Sequence, residues 1–331
     1  MERVLPLLVM ILLSACAGPS PLPLSEKADT RPEWIDAIPQ EPGALYSVAS
    51  VKLSDSQPQS EQQAKQLAVK QLKQQLRITL PSSYPSPKNT FSDLEREIHR
   101  RAPTINLSFI EPVASYCDEG AGRVYALARL DVAKEVALAG EKAEGLNHSI
   151  EQHAVSLQSS DGQVLQKLQE STKALLALER RRQLHLWVKN LQPAGEGLPL
   201  TPRLLDVQQR VLQGVAQTPI SISPLSGYGV DITISQVLSQ QLLQRGLVVS
   251  ELGQLQLQYS LQQQNRYHDD NFFVTIDGVI QLSDRQDRRL MSLKVVGEGS
   301  DVREIEAIRQ ALAVLGEQAA VEVIEVLFAA D

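Results

Sequence analysis

Between Ala44 and Val51 apolar and polar residues alternate, which is the period of a half-buried strand. The spacing then changes. Ala64, Leu67, Ala68, Leu72 and Leu76 recur every three or four residues and predict a helix whose narrow stripe of small side chains can lie close on a sheet. Ser60 with Gln63 has the form of a capping box at its start. Ile78-Thr79-Leu80 reads as a further strand, broken by the prolines between Pro81 and Pro87, and Phe91 to Arg101 as a short amphipathic helix ended by Pro103. Ile105 to Tyr116 and Val124 to Leu130 form a predicted antiparallel hairpin across Asp118-Glu119-Gly120-Ala121-Gly122. Together these elements define a first unit over 31–131.

From 132 to 192 the period is helical throughout. Val132, Val136, Ala139, Ala143, Leu146, Ile150 and Leu157 make one stripe, and Leu165, Leu168, Thr172, Leu175 and Leu178 begin a second. Ser160-Asp161-Gly162-Gln163 lies between them as a turn and second capping box, so the stretch reads as a helical hairpin. A last unit over 193–331 follows the segment Pro193 to Pro202. It has a short helix over Leu204 to Gln213 and a strand at Ile220-Ser221-Ile222, then a helix with Ile234, Leu238 and Leu242 that stops at Gly246. Strands are expected at Leu247-Val248-Val249, Leu255 to Leu261, Phe272 to Leu282 and Leu290 to Val296. A closing helix carries Ile305, Ile308, Leu312, Leu315, Ala319 and Val323, with Asp301 and Glu304 as its expected caps. The fold class is therefore α+β: two small α+β domains, antiparallel sheets with packed helices, joined by a long helical hairpin.

The first residues follow neither period. Val4 to Leu13 is an apolar run of about ten residues, half of what a spanning helix needs. It ends in Ser14-Ala15-Cys16-Ala17-Gly18, small residues that a signal peptidase accommodates. Leu13-Ser14-Ala15-Cys16 resembles the lipobox of bacterial lipoproteins. That resemblance implies cleavage between Ala15 and Cys16, making 1–15 a signal peptide, with acyl chains such as palmitate on Cys16. Ala15-Cys16-Ala17 also fits the small-x-small pattern of ordinary secretory cleavage, which would discard the cysteine. Pro19, Pro21 and Pro23 make 16–30 an extended, semi-rigid tether. In enteric-type lipoproteins an aspartate after the cysteine tends to retain the protein at the inner membrane, so Ala17 implies the outer membrane and its periplasmic face.

Composition narrows the partners. With 43% hydrophobic and 21% charged residues, a 331-residue chain has an ordinary core budget. A net charge of −7 argues against nucleic acid, which needs clustered cations to displace counterions. Arg180-Arg181-Arg182 is the densest basic run and reads as a solvated helix face. Apart from Cys16, Cys117 is the one other cysteine, so the mature chain has no pair for an internal disulfide. Cys117 is read as a buried apolar filler or else an intermolecular link.

Pro32-x-Trp34-Ile35, the strand Tyr46-x-Val48-x-Ser50, an alanine-bearing helix, and Val124-Tyr125-Ala126-Leu127-Ala128-Arg129-Leu130-Asp131 resemble the twenty-kilodalton lipoprotein family over the first third of the mature chain. The resemblance implies a lipid-anchored surface or periplasmic protein, with some members tied to the flagellar outer-membrane apparatus. It brings no catalytic residues. Ala49 departs from the glycine that such proteins often place after the strand valine.

Candidate chemistry is sparse. His148 and His153 lie five apart, poorly placed for one metal on a single helix face. His268-Asp269-Asp270 offers carboxylates to a cation but falls where a hairpin turns. Ser226-Gly227-Tyr228-Gly229 precedes a helix, yet its spacing matches no phosphate loop. Asp277, Asp284 and Asp287 are the carboxylates available for glycan hydrolysis, and no pair stands out by spacing. The expectation is a lipid-anchored, non-catalytic envelope protein without metal or cofactor, held to the membrane through Cys16 and binding an envelope protein or itself. Regulation of a peptidoglycan synthase and carboxylate-dependent cell-wall hydrolysis are the alternatives.

Overall fold

The computed structural model describes residues 31–79, 92–102, 108–159, 163–225 and 232–328. The chain is α+β, and its two sheets stand at the two ends of a long helical hairpin.

The first sheet has the order β1-β3-β2, built from β1 (Ala44–Lys52), β2 (Ile110–Asp118) and β3 (Arg123–Asp131), all antiparallel. Ala49 stands opposite Ala126 and Val51 opposite Val124, so small residues from both strands share one face. Helix α1 (Gln57–Thr79) covers that face with Ala64, Ala68, Leu72 and Leu76, and the alanines let helix and sheet approach closely. The helix begins one turn before Ser60, so no capping box forms there. Ser60 Oγ instead accepts the amide of Ser54 at 2.9 Å and donates to the carbonyl of Ser56. At its far end α1 runs through Ile78 and Thr79, where a strand was expected; extending a helix already formed adds a backbone bond per residue and outweighs the β preference of two branched residues.

The second sheet has the order β4-β5-β6-β7: β4 (Ile220–Pro224), β5 (Leu255–His268), β6 (Asn271–Asp284) and β7 (Arg289–Asp301). β5, β6 and β7 form the expected meander, each longer than its apolar run, whereas β4 lies parallel to β5 and makes the sheet mixed. Leu247-Val248-Val249 is not a full strand. It meets β4 in a single bridge between Val249 and Ile220. Helices α6 (Ile232–Leu243) and α7 (Glu304–Leu327) pack side by side, with α7 on β6 and β7. A Cβ at Gly297 would stand 2.0 Å from the carbonyl of Ala311, and one at Gly299 2.1 Å from that of Ala307. Only glycine permits this approach. Arg303, not Asp301, occupies the N-cap of α7 and makes no side-chain cap. Asp301 accepts the amide of Arg303.

Helices α3 (Val132–Ser159) and α4 (Val164–Leu191) serve both cores. Val132, Ala139 and Ala143 join Leu184, Trp187, Val188 and Leu191 under the first sheet, while Ile150 joins Leu168, Leu175 and Leu178 under the second. Leu146 packs against both clusters. Residues 160–162, the expected turn and cap, lie outside the described residues. Gln163 stands at the N-cap of α4 without a side-chain bond.

Two other findings depart from expectation. Helix α2 (Ser92–Arg101), placed by sequence in the first unit, packs on the second core through Leu94 and Ile98. Arg181, expected on a solvated face, is only 4% exposed. Its guanidinium donates to Asn147 Oδ1 and to the carbonyls of Leu198 and Pro199, which fastens the segment ahead of α5 (Pro202–Ala216) onto α4. Those carbonyls supply the acceptors that water would offer on a surface. Cys117 is half-buried against the first core.

Gly246 ends α6 in a Schellman arrangement. Its φ is +76°, its amide meets the carbonyl of Leu243, and that of Leu247 reaches Leu242. A Cβ there would also stand 2.1 Å from the amide nitrogen of Leu94. Gly246→Ala therefore strains the cap and pushes α2 off the core together. Urea unfolding is expected to show a loss of about 3 kcal/mol or more, against about 1 kcal/mol for a cap glycine with open space around it.

Candidate functional site

The one residue to which sequence assigns a definite chemistry, Cys16, lies with Ala15 outside the described residues. What the structure does describe is how the body grips the chain arriving from it. Arg31 pairs with Asp36 at 2.8 Å and reaches Asp118 at 3.6 Å, with its guanidinium 5.5 Å from the ring centre of Tyr125. The hydrogen bond that Arg31 donates to Asp36 holds its pKa above the ordinary value despite some desolvation. The chain then makes a short 3-10 turn at Glu33–Ile35 before Gly43, whose carbonyl accepts the amide of Val132. Tyr46, on β1, donates its hydroxyl to Glu41 at 2.6 Å. The segment from 31 to 43 is thus tied to the first sheet at both ends, and the polypeptide emerges beside the β2–β3 turn.

The carboxylates weighed in the sequence do not converge. Asp269 and Asp270 form the two-residue turn between β5 and β6 with φ of 48° and 56°, the geometry of a tight hairpin, and His268 faces Asp269 at 3.2 Å with both well exposed. Asp277 projects from β6 on the face away from α7. Asp284, on the same strand, is buried and held by Arg288, whose side chain and amide it accepts together with the amide of Gln286. Burial works to raise the Asp284 pKa, and those bonds outweigh it and lower it. The two carboxylates are seven positions apart along one strand, roughly 24 Å at strand rise. A glycosidase pair needs about 5 to 10 Å. Asp287, with φ of 54°, belongs to the next turn.

His148 and His153 also part ways. His148 Nε2 meets Gln152 at 2.8 Å, and His153 Nδ1 meets Glu170 on α4 at 2.7 Å. Among the described residues no three His, Cys, Asp or Glu side chains gather as a metal site. Ser226-Gly227-Tyr228-Gly229 lies outside them.

Two features were not found from the sequence. A groove of about 340 Å³ opens between the hairpin tip and α5, lined by Leu157, Lys167, Val207, Arg210 and Gln254. Periodicity gives the apolar residues of such a groove but not which helices flank it. A charged cluster joins α2 to α4. Glu179, 5% exposed, accepts from Arg182 at 2.9 Å and from Gln183, and meets His99 Nδ1 at 2.7 Å. Glu95 borders the same crevice, and its burial raises its pKa. Burial pulls Glu179 the same way, but the bonds from Arg182 and His99 dominate and lower it. Nearby, Glu97 holds Arg100 and Arg101, and Arg101 crosses to Glu325 on α7 at 2.7 Å while lying 5.1 Å from the ring centre of Phe328. This arrangement staples α2 to α4 and to α7.

No protein-family model matches the chain, and no curated protein matches it. Solved structures to which the chain is similar include two of low identity. A minor lipoprotein from Acinetobacter baumannii is 13% identical over 32% of this chain and 90% of its own, with a TM-score of 0.27. A secreted protein from Helicobacter pylori is 15% identical over 88% of this chain and 100% of its own, with a TM-score of 0.41.

The Glu179 cluster has a pH signature. A carboxyl depressed in the fold adds stability above its unfolded value, and that contribution drains away as pH falls through the folded one. The wild type should weaken on acidification below about pH 4.5, the ordinary value for glutamate. Glu179→Ala takes one buried carboxylate acceptor from Arg182 and His99, so urea unfolding should show a loss of about 2 kcal/mol at pH 7 and a shallower acid slope.

Proposed function

We propose that the protein is a lipid-anchored lipoprotein of the bacterial outer membrane, facing the periplasm and working through protein contacts rather than catalysis. The observation that carries this reading is the junction at Leu13-Ser14-Ala15-Cys16, behind an apolar run too short to span a bilayer and ahead of a proline-bearing tether. Chains attached at Cys16 gain about 0.8 kcal/mol per buried methylene, so two or more hold a body in place where one binds reversibly. Among the described residues no helix is long and apolar enough to cross a membrane, which is compatible with attachment through the tether alone.

The non-catalytic part of the reading is supported by the disposition of the aspartates. Asp269, Asp270 and Asp287 shape turns, and Asp284 is neutralised by Arg288. Membership of the twenty-kilodalton lipoprotein family is part of the same proposal, carried by the strand and helix pattern between Pro32 and Asp131. The role it favours is assembly or support of an envelope structure, with the flagellar apparatus as one setting.

Growth with a radiolabelled fatty acid should label the wild-type product, and the mature N-terminal peptide should carry acyl mass on Cys16. Cys16→Ala should abolish the label and move the protein from the outer-membrane fraction to the soluble one. An unmodified N-terminus beyond position 16 overturns the anchor. Zymography on purified peptidoglycan should show no clearing by the wild type; clearing that is lost in Asp277→Asn overturns the non-catalytic reading.

A further inference from the structure

Each sheet has edges, and an edge strand offers unpaired backbone groups to whatever can reach them. Three of the four outer strands carry devices against this. β2 has Pro112 and a register shift between Pro112 and Ala114. β4 is short and ends in Pro224. β7 carries Arg289, Lys294 and Glu298 along its length. β1, Ala-Leu-Tyr-Ser-Val-Ala-Ser-Val-Lys, has no proline, no irregularity in its register with β3, and no charge before Lys52.

The direction of its hydrogen bonds follows from its two ends. Val132 donates to Gly43 and Leu53 donates to Gly122, so the odd-numbered residues of β1 bond to β3 and the even-numbered ones face outward. The amides and carbonyls of Tyr46, Val48 and Ser50 meet no backbone partner among the described residues.

We infer that this edge seats a second copy of the chain, antiparallel, about a two-fold axis through Val48, so that two three-stranded sheets become one continuous sheet. The register is self-consistent. Val48 exchanges both bonds with its own copy, and Tyr46 exchanges both with Ser50 of the other protomer. On the helix-covered face Leu45, 36% exposed, meets Val51, and Ser47 meets Ala49. The lone charge, Lys52, stands opposite Ala44, so no like charges oppose one another. An isologous contact of this kind closes at two subunits, which limits growth into filaments.

The helices fit the same geometry. α1 rests mainly over β1 and β3 and less over β2. With strands about 4.8 Å apart, the two copies of α1 come to lie roughly 10 Å from each other, the spacing of packed helices. Gln63, Leu67, Gln71 and Gln74 share one side of α1 and carry no charge. Amide side chains that both donate and accept are complementary to themselves.

The pairing needs no lipid, so it is tested on the full chain with Cys16→Ser and Cys117→Ser, and its failure leaves the anchor reading intact. In that background Val48→Cys places a thiol on the axis. Hydrogen-bonded partners there have Cα atoms about 5.5 Å apart, within disulfide range, so mild oxidation should give a covalent dimer. Val113→Cys, on the blocked β2 edge, should give no covalent dimer under the same oxidation while still pairing through β1. Val48→Pro removes an outward amide and leaves the ladder to β3 whole, so it should raise the dimer dissociation constant by at least about tenfold in sedimentation equilibrium, with an unchanged circular dichroism spectrum. A monomer at all concentrations, absence of the Val48→Cys cross-link, or a dimer indifferent to a folded Val48→Pro each overturns the inference. If Val48→Pro does not fold, the cross-link alone decides.

Discussion

The structure depends on a shortage of apolar cover. Each sheet is small and presents one apolar face, and neither α1 alone nor α6 with α7 closes its core. α3 and α4 make up the difference for both. Each is 28 residues long, about 42 Å, so one hairpin reaches under two sheets. Its composition changes along its length accordingly. Small residues, Ala139 and Ala143, face the alanine-rich first sheet, and larger ones, Ile150, Leu168 and Leu175, face the second. The two cores are therefore halves of one scaffold rather than beads on a linker.

Where the halves meet, polar groups stand beside the apolar contact that Leu146 makes with both cores. Arg181 sits beside Asn147 at the level where the hairpin passes from one core to the other, and it spends its donors on the carbonyls of Leu198 and Pro199. His185 accepts the amide of Leu198 through Nδ1, which requires the neutral ring at that nitrogen, and burial with the nearby Arg181 lowers its pKa. A buried cation answered by carbonyls orients a segment without needing a matching carboxylate. On the other side of α4, Glu179 and the Glu97–Arg101–Glu325 chain do the same for α2 and α7.

Much of this was legible as periodicity. The hairpin, the β5–β7 meander and the closing helix follow from spacing, because a long amphipathic stripe must find cover and a strong alternation must lie half-buried. Gly246 announced the end of α6, though not that Leu94 presses against it. What stayed illegible was long-range partnership. Leu94 and Ile98 mark α2 as amphipathic without saying which core takes them, and Arg181 among three arginines looks like surface until the carbonyls of Leu198 and Pro199 are in view. Ser60 had the right neighbours for a cap, yet Ser54 claimed it. At the candidate site the turn role of Asp269 and Asp270 was readable, since a hairpin needs such residues, whereas the grip on Arg31 was not, since Asp118 and Tyr125 lie far away in sequence.

The placement of α2 has a mechanical meaning. The polypeptide leaves the first half after α1, lodges α2 in the second, returns to build β2 and β3, and departs again through the hairpin. Such stitching makes the halves topologically interdependent. Separating the halves therefore requires drawing Leu94 and Ile98 of α2 out of the second core or parting the hairpin helices from one of the two sheets.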